Sequence, residues 1–199
     1  MFQLLETIKC KDGKLFNMEF HQVRFENAQK EYFGISPQIK LYKEIKTPEF
    51  VTSGVFRCRV TYSKQIDKIE FLPHHYRKIK SLKLVEDNQI DYRFKYADRE
   101  KLQNLFEARG NCDDIIIVKN GNITDSFAAN LVLLDGTAWF TPDTYLLPGT
   151  QRTKLLQEGQ IFERHIDISD LPKYEKVGLI NALNNLKEMP VIDIDHIFQ

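Results

Sequence analysis

Three Asx-Gly dipeptides constrain the fold of this chain more than any other feature of its sequence. Asp12-Gly13, Asn120-Gly121 and Asp135-Gly136 each lie between apolar or β-branched runs. Such dipeptides favour the two-residue loops of β-hairpins, because these loops require positive φ angles. The first joins LLETIKC to KLF, the second DIIIVK to NIT, and the third NLVLL to TAWF. The sequence therefore predicts hairpins in both halves of the chain.

Helical patterns are interspersed with these hairpins. Apolar residues in MEFHQVRFENAQKEYF fall near helical spacing and stop before Gly34, and Ser36-Pro37 is predicted to open a second short helix. From Gly54 to about Glu86 the pattern predicts mostly strands. Because strands and helices mix without a regular strand–helix–strand alternation, an α+β fold is favoured over a doubly wound parallel sheet.

The polar pair Asp87-Asn88 is the predicted boundary between two lobes, residues 1–88 and residues 89–199. Just beyond it, DYRFKYADREKLQNLF begins with the alternation of a strand and ends with the spacing of a helix. Lys95 lies ahead of this change, and Asp98 is the predicted helix cap.

The remainder of the second lobe is predicted to contain one more helix, LLPGTQRTKLLQEG, which ends at Gly159. IFERHIDI alternates as a half-buried strand, and VGLINAL has the pattern of a buried strand. Between these two segments Asp170 is the predicted cap of a short helix.

Composition excludes several classes of protein. Lys plus Arg and Asp plus Glu both total 28, so the chain lacks the basic excess of a nucleic-acid binder. No apolar run approaches the roughly 20 residues of a membrane span, and the first residues lack the pattern of a signal peptide. Cys10, Cys58 and Cys112 are odd in number and far apart, which argues against a disulfide framework or a zinc site. A cytoplasmic protein with reduced thiols is therefore expected.

Lys95, flanked by Phe94 and Tyr96, is the first candidate for chemistry. Burial disfavours the charged form of lysine and lowers its pKa, which makes a free amine available as a nucleophile toward carbonyls. The alternative is a structural lysine whose ammonium reaches water from a strand end.

Three further segments could bind a charged ligand. In PGTQR, Gly149 allows close approach of the backbone, and the helix start with Thr150 and Gln151 could hold a phosphate. In HQVR, Arg24 suits bidentate phosphate binding. In ITDSFAAN, Asp125 could pair with a protonated ring nitrogen. A plain turn, a solvated helix face and a turn cap, respectively, are the alternatives.

The order of the segments LLETI, DGKLF, H-x-x-R, an isolated Lys, DDIIIVKNGNITD, W-x-TP, LLPGTQR and INAL resembles a known family. It is similar to the class IV aminotransferases, which include branched-chain and D-amino-acid aminotransferases and 4-amino-4-deoxychorismate lyase. The resemblance implies an α+β, two-lobe, D-amino-acid-aminotransferase-like fold, known as fold type IV of the enzymes that use pyridoxal 5′-phosphate (PLP).

The resemblance also implies a role for each candidate. Lys95 would form an internal Schiff base with PLP, Arg24 would bind the cofactor phosphate, and Asp125 would face the pyridine nitrogen. The residues implied around the phosphate are Gly149, Thr150, Gln151 and, as a weaker candidate, Asn181.

The chain departs from the family pattern at two places. Asp125 stands where family members carry Glu, and Leu5 stands where an aromatic residue is common. The chain begins almost at Leu5, so a shortened first lobe is expected. The strand GVFRCRVTY has Arg57 and Arg59 on one face, and either could bind a substrate carboxylate or simply face solvent.

The implied function is transamination of an amino-acid-like substrate, with Lys95 moving the Cα proton. A lyase that releases pyruvate and 4-aminobenzoate is the alternative, and a non-catalytic protein of the same fold is a further one. Family members generally form homodimers, so a homodimer without nucleic-acid or membrane partners is expected.

Overall fold

The computed structural model describes residues 2–199, which form two compact units. The first unit comprises the chain up to Tyr76 with Phe94–Asp98, and the second comprises Arg77–Arg93 with Arg99–Gln199. The boundary predicted after residue 88 therefore lies inside the second unit, and Lys95 belongs to the first unit rather than to the C-terminal lobe. The α+β class predicted from the sequence is confirmed.

The first unit is an antiparallel sheet with helices packed against it. Its elements are β1 (Leu4–Lys11), β2 (Lys14–Leu15), α1 (Met18–Glu31), α2 (Leu41–Glu44), a 3-10 turn (Glu49–Val51), β3 (Val55–Tyr62) and β4 (Ile66–Pro73). The strands lie in the order β2-β1-β3-β4. The hairpin predicted at Asp12-Gly13 is present, and both residues have positive φ.

The core of the first unit lies between this sheet and α1. Side chains alternate along a strand, so Leu4 and Ile8 of β1 share one face with Val60 of β3. These residues pack with Phe25 of α1 in one apolar cluster, and all are fully buried. The face of β1 and β3 that points away from α1 is therefore left for polar side chains.

The helix predicted at Ser36-Pro37 is absent, since residues 35–40 have no regular secondary structure and α2 begins only at Leu41. The side chain of Gln22 in α1 determines this start. Its Nε2 donates to Ile39 O at 2.9 Å, and its Oε1 accepts from Leu41 N at 2.7 Å. A tertiary contact thus replaces the local cap that the sequence predicted.

The strand predicted at the start of DYRFKYADREKLQNLF is also absent. Asp91 accepts a bond from the backbone N–H of Arg93 at 3.2 Å, and Tyr96 N donates to Phe94 O at 3.0 Å, so local bonds take the place of a strand ladder. Tyr96 forms only an isolated antiparallel bridge with Leu4.

The second unit contains the larger sheet. Its elements are β5 (Leu82–Glu86), α3 (Glu100–Glu107), β6 (Asp114–Lys119), β7 (Asn122–Ser126), β8 (Asn130–Leu134), β9 (Trp139–Pro142), α4 (Thr150–Gln157), β10 (Phe162–Arg164), a 3-10 helix (Ile168–Lys173), β11 (Lys176–Ile180), β12 (Val191–Asp193), a 3-10 turn (Ile194–His196) and β13 (Ile197–Phe198). The strands run in the order β10-β9-β8-β7-β6-β5-β13, and β11 pairs with β8 and β12. The predicted hairpin at Asn120-Gly121 is present, again with both φ angles positive.

Two helix caps in the second unit differ from the prediction. The N-cap of helix α3 is Arg99, not Asp98, and the Arg99 side chain makes no capping hydrogen bond. The 3-10 helix after β10 is capped by Asp167, not Asp170. Asp170 instead occupies the third position of a capping box, where its carboxylate accepts from the backbone N–H of Asp167 at 3.1 Å.

Candidate active site

Lys95 lies at the Leu5 end of β1. Its carbonyl oxygen accepts a hydrogen bond from Leu5 N at 2.9 Å. The rings on either side, Phe94 and Tyr96, lie 5.1 and 5.8 Å from the ring of Tyr32, centroid to centroid. The Lys95 side chain itself is half-buried. The segment is thus held by the sheet and by the aromatic cluster, although it is not the strand end that the sequence predicted.

Arg24 projects from α1 onto a buried carboxylate that the sequence analysis did not identify. Its Nε donates to Glu6 Oε1 at 2.9 Å, and its Nη2 donates to Glu6 Oε2 at 2.6 Å. Nδ1 of His21, one helical turn before Arg24, lies 2.5 Å from Glu6 Oε2. The available signal for Glu6 was an acid within the apolar strand run LLETI.

The Glu6 side chain is fully buried. Burial alone would raise the pKa of Glu6, but the Arg24 charge and the His21 contact outweigh it and lower the pKa to about 2. Burial lowers the pKa of His21 despite the contact with Glu6, so its ring is neutral at pH 7 and donates to the carboxylate. Lys95 lies close enough to His21 for its charge to lower the pKa of His21 as well.

Arg57 and Arg59 lie on the face of β3 that points away from α1, as the alternation predicted. In the register of β1 and β3, Arg57 lies opposite Lys9, and Arg59 lies opposite Thr7. Arg57 is exposed and Arg59 is half-buried.

In the second unit, Asp125 on β7 is a buried carboxylate held by three donors. Its Oδ1 accepts from Asn130 Nδ2 at 2.8 Å, and its Oδ2 accepts from Leu146 N at 3.2 Å and Leu147 N at 3.0 Å. Burial raises the pKa of Asp125 to about 6, against the opposing effect of these bonds and of the Arg152 charge. A carboxylate has about four lone-pair sites, so Oδ1 keeps one site for a further donor.

Gly149 directly precedes α4, and the side chain of Asn130 leaves no room for a Cβ atom at this position. A Cβ atom at position 149 would lie 1.9 Å from Asn130 Oδ1, so no other residue fits without moving that amide. Asn130 Nδ2 also donates to Leu147 O at 2.9 Å. Thr150 and Gln151 form the buried first turn of α4, where the backbone N–H groups point away from the body of the helix. Asn130 therefore joins the acid Asp125 to a helix start suited to an anion.

The other residues of this unit have structural roles. Asn181 Oδ1 accepts from the backbone N–H groups of Leu183 at 2.9 Å and Asn184 at 3.0 Å, and its Nδ2 donates to Ala128 O at 3.1 Å. Its carboxamide is therefore used mainly to hold the loop after β11. Arg152, which the sequence analysis did not single out, is buried and donates from Nη2 to Pro142 O at 3.0 Å, so it connects α4 to β9.

The family model described as amino-transferase class IV matches residues 3–194 of this chain. The chain belongs to the class IV aminotransferase family. A Haemophilus influenzae protein of uncharacterised function is 39% identical over 188 residues, which cover 94% of this chain and all of the relative. The membership predicted from the order of motifs is confirmed.

Solved structures show the same class IV fold. A protein from Haemophilus somnus, described as a candidate 4-amino-4-deoxychorismate lyase, has a TM-score of 0.89 and 36% identity, covering 94% of this chain and 98% of its own. A candidate amino-acid aminotransferase from Mesorhizobium loti has a TM-score of 0.81 and 20% identity, covering 97% and 99%. A hypothetical aminotransferase from Mycobacterium tuberculosis, with α-ketoglutarate and pyridoxamine phosphate (PMP) bound, has a TM-score of 0.79 and 15% identity, covering 98% and 83%.

Residues 2–199 have the features of neither a membrane-spanning helix nor a metal-binding cluster. No helix in this range is long and apolar enough to cross a membrane. The same residues contain no group of three or more His, Cys, Asp or Glu side chains arranged to hold a metal ion.

Proposed function

We propose that this class IV aminotransferase is a PLP-dependent enzyme that acts on the amino group of an amino-acid-like substrate. The observation that carries the proposal is the arrangement around Asn130. This amide binds the buried acid Asp125 and lies against Gly149, where any Cβ would collide with it. PLP needs an acid that pairs with its ring nitrogen and a group that binds its phosphate. Asp125 could supply the acid, and the N-terminus of α4 could bind the phosphate.

The residues present fit this cofactor. Asp125 keeps an acceptor site and is mostly ionised at pH 7, because its pKa is about 6. The N–H groups that open α4, at Thr150 and Gln151, would hold the phosphate. The resemblance to the family assigns Arg24 to the same phosphate and Lys95 to the covalent bond with the cofactor. When bound, PLP supplies an electron sink that stabilises negative charge on the substrate carbon next to the amine.

The chain's own side chains would move and hold the protons and orient the phosphate-binding arginine. Lys95 Nζ would take the proton from the substrate Cα and return it. Asp125 would hold the proton on the ring nitrogen. Glu6 would orient Arg24, because its two oxygens accept bonds from Nε and Nη2 at 2.9 and 2.6 Å.

A second candidate function is cleavage of 4-amino-4-deoxychorismate to pyruvate and 4-aminobenzoate. The likeness to the Haemophilus somnus protein favours it, since that structure matches over 94% of this chain at 36% identity. The same lysine and acid serve both reactions, and substrate binding decides between them.

Cofactor binding is tested by adding PLP to the purified protein and recording its visible absorbance. We expect a bound-cofactor band that borohydride removes, and Lys95→Ala should lack it. Lys101→Ala is the matched control, since that exposed lysine of α3 pairs with Asp87 at 3.4 Å. A wild-type protein that takes up no PLP would refute the proposal and favour a non-catalytic protein of this fold.

The two reactions are then separated by product analysis. The loaded enzyme is incubated with aminodeoxychorismate, and in parallel with a panel of amino and keto acids. Pyruvate with 4-aminobenzoate identifies the lyase. A new amino acid formed from an added keto acid identifies the transaminase.

We also propose that the chain forms a homodimer, as class IV proteins generally do. Light scattering should give twice the mass of the 23.4 kDa chain. A monomer mass that does not change with protein concentration would contradict this.

A further inference from the structure

A cavity of about 460 Å³ lies in the first unit, between α1 and the turn that joins β3 to β4. Residues 35–39, which connect α1 to α2, contribute a further part of its lining. The lining includes none of Glu6, Arg24 and Lys95. Small-molecule sites have volumes of roughly 300–1,000 Å³, so this cavity has room for one small ligand.

The buried residue of this lining is Gln29, in the second half of α1. Gln29 is 1% exposed, and its Oε1 has no hydrogen-bond partner within residues 2–199. Its Nε2 donates to Lys64 O at 3.3 Å, which uses one of the two hydrogens on that nitrogen. Buried polar atoms are nearly always satisfied, and an unmet acceptor costs free energy. The carboxamide therefore offers a ligand one acceptor and one further donor.

The side walls of the cavity are aliphatic. Ile35, Ile39 and Ile66 line it, and all three are half-buried and pack against the core cluster of the first unit. A ligand that reaches Gln29 has carbon atoms in contact with these side chains, and burial of that apolar surface favours binding.

Two exposed residues of opposite charge, Glu44 and Lys64, also line the cavity. Neither forms an ion pair within residues 2–199, whereas Lys40 binds Glu26 at 2.7 Å. A zwitterion has a positive and a negative group on one carbon atom, and each finds its counter-charge here. Because both charges are exposed, they orient the ligand more than they strengthen its binding.

We propose that this cavity binds a free amino acid whose side chain ends in a primary amide. Its ammonium pairs with Glu44 and its carboxylate with Lys64, while its methylene groups lie between the isoleucines. The terminal amide forms a reciprocal pair with Gln29, in which the ligand N–H donates to Oε1 and Nε2 donates to the ligand oxygen. L-Glutamine and L-asparagine are the members of this class. The cavity is thus a second small-molecule site, apart from the residues assigned to the cofactor.

Calorimetric titration of the full-length protein compares each amide with the acid of the same shape, L-glutamine with L-glutamate and L-asparagine with L-aspartate. At neutral pH the side chain of the acid has acceptors only, so it brings no hydrogen to Gln29 Oε1. We expect one amide to bind about tenfold or more tightly than its acid, because an unpaired buried polar group weakens binding by this order. The side-chain length that shows the preference identifies the ligand.

Gln29→Met keeps the length of the side chain without its amide, and it should abolish the preference. Gln103→Met is the matched control, because that exposed glutamine of α3 donates to Glu107 at 3.2 Å and is not part of the cavity; the preference should persist. The nuclear magnetic resonance signal of the Gln29 side-chain amide gives a second readout that needs no variant. It should shift when the preferred amide is added to the wild type.

Equal binding of amide and acid in both pairs, or an unchanged preference in Gln29→Met, would overturn the inference. A Gln29 amide signal that stays in place at saturation would do the same. Lys95→Ala should keep the preference, and its loss in that variant would move the binding to the candidate active site and refute the assignment to this cavity. A protein that shows the preference but never takes up PLP would contradict the proposed function alone.

Discussion

Replacing Glu6 by Gln should remove a large, pH-dependent part of the stability of the first unit. Glu6 is fully buried and binds the Arg24 guanidinium through two hydrogen bonds. The variant leaves a guanidinium that is 13% exposed without its counter-charge. Breaking one partner of a buried pair costs about 3–5 kcal/mol, so a loss of that order is expected at pH 7.

The pH dependence follows from the Glu6 pKa, which falls from 4.5 to about 2 on folding. At neutral pH this difference corresponds to about 3 kcal/mol of stability. Because the carboxyl holds its proton more tightly in the unfolded chain, this stability is present above pH 4.5 and is lost as the pH falls toward 2. Glu6→Gln has no such group and should lack this component of acid destabilisation.

Urea unfolding followed by circular dichroism, at a series of pH values from neutral to acid, measures the effect. The free energy of unfolding of the wild type should converge on that of Glu6→Gln as the pH falls. Glu26→Gln is the control, because Glu26 in α1 forms a partly exposed ion pair with Lys40 at 2.7 Å and accepts from Gln22 Nε2 at 2.8 Å. Such an exposed ion pair contributes about 1 kcal/mol or less. Parallel curves for wild type and Glu6→Gln would refute the buried-pair reasoning.

Two further changes test the second unit. Gly149→Ala places a Cβ 1.9 Å from Asn130 Oδ1. Urea unfolding should show a loss of about 1–3 kcal/mol in the free energy of unfolding, and PLP titration should show weaker binding. Unchanged stability and PLP affinity would show that Asn130 moves aside without cost. Asp125→Asn removes the carboxylate that would hold the ring-nitrogen proton, so turnover should fall about ten- to hundredfold. Asp135→Asn, in the turn after β8 where the carboxylate accepts from Thr137 Oγ1 at 2.8 Å, should leave turnover unchanged. Equal turnover in Asp125→Asn and wild type would exclude this role.

Several features of the fold could be predicted because short-range geometry determines them. Asp12-Gly13 and Asn120-Gly121 adopt the positive φ angles of hairpin loops, as their side chains allow. Helix α1 ends near Gly34, which also has positive φ. The order of such motifs along the chain was enough to identify the family, although each motif alone was weak.

The details of the candidate site depended on contacts between residues distant in sequence. Glu6 and Arg24 are 18 residues apart, and Asp125 and Leu147 are 22 apart. No local pattern indicates that a strand acid meets a helix arginine, because the pairing exists only once α1 packs on the sheet.

The hairpins, the α+β class and the family could be derived from the order of amino acids alone, because turn geometry and residue order are local properties. The environment of each charged group depends on contacts that form only in the folded chain. Lys95 lies in a segment tied to Leu5 instead of on a strand, and Gly149 is required by the amide of Asn130. Burial and the neighbours in space set a pKa, and neither is encoded at a single position in the chain.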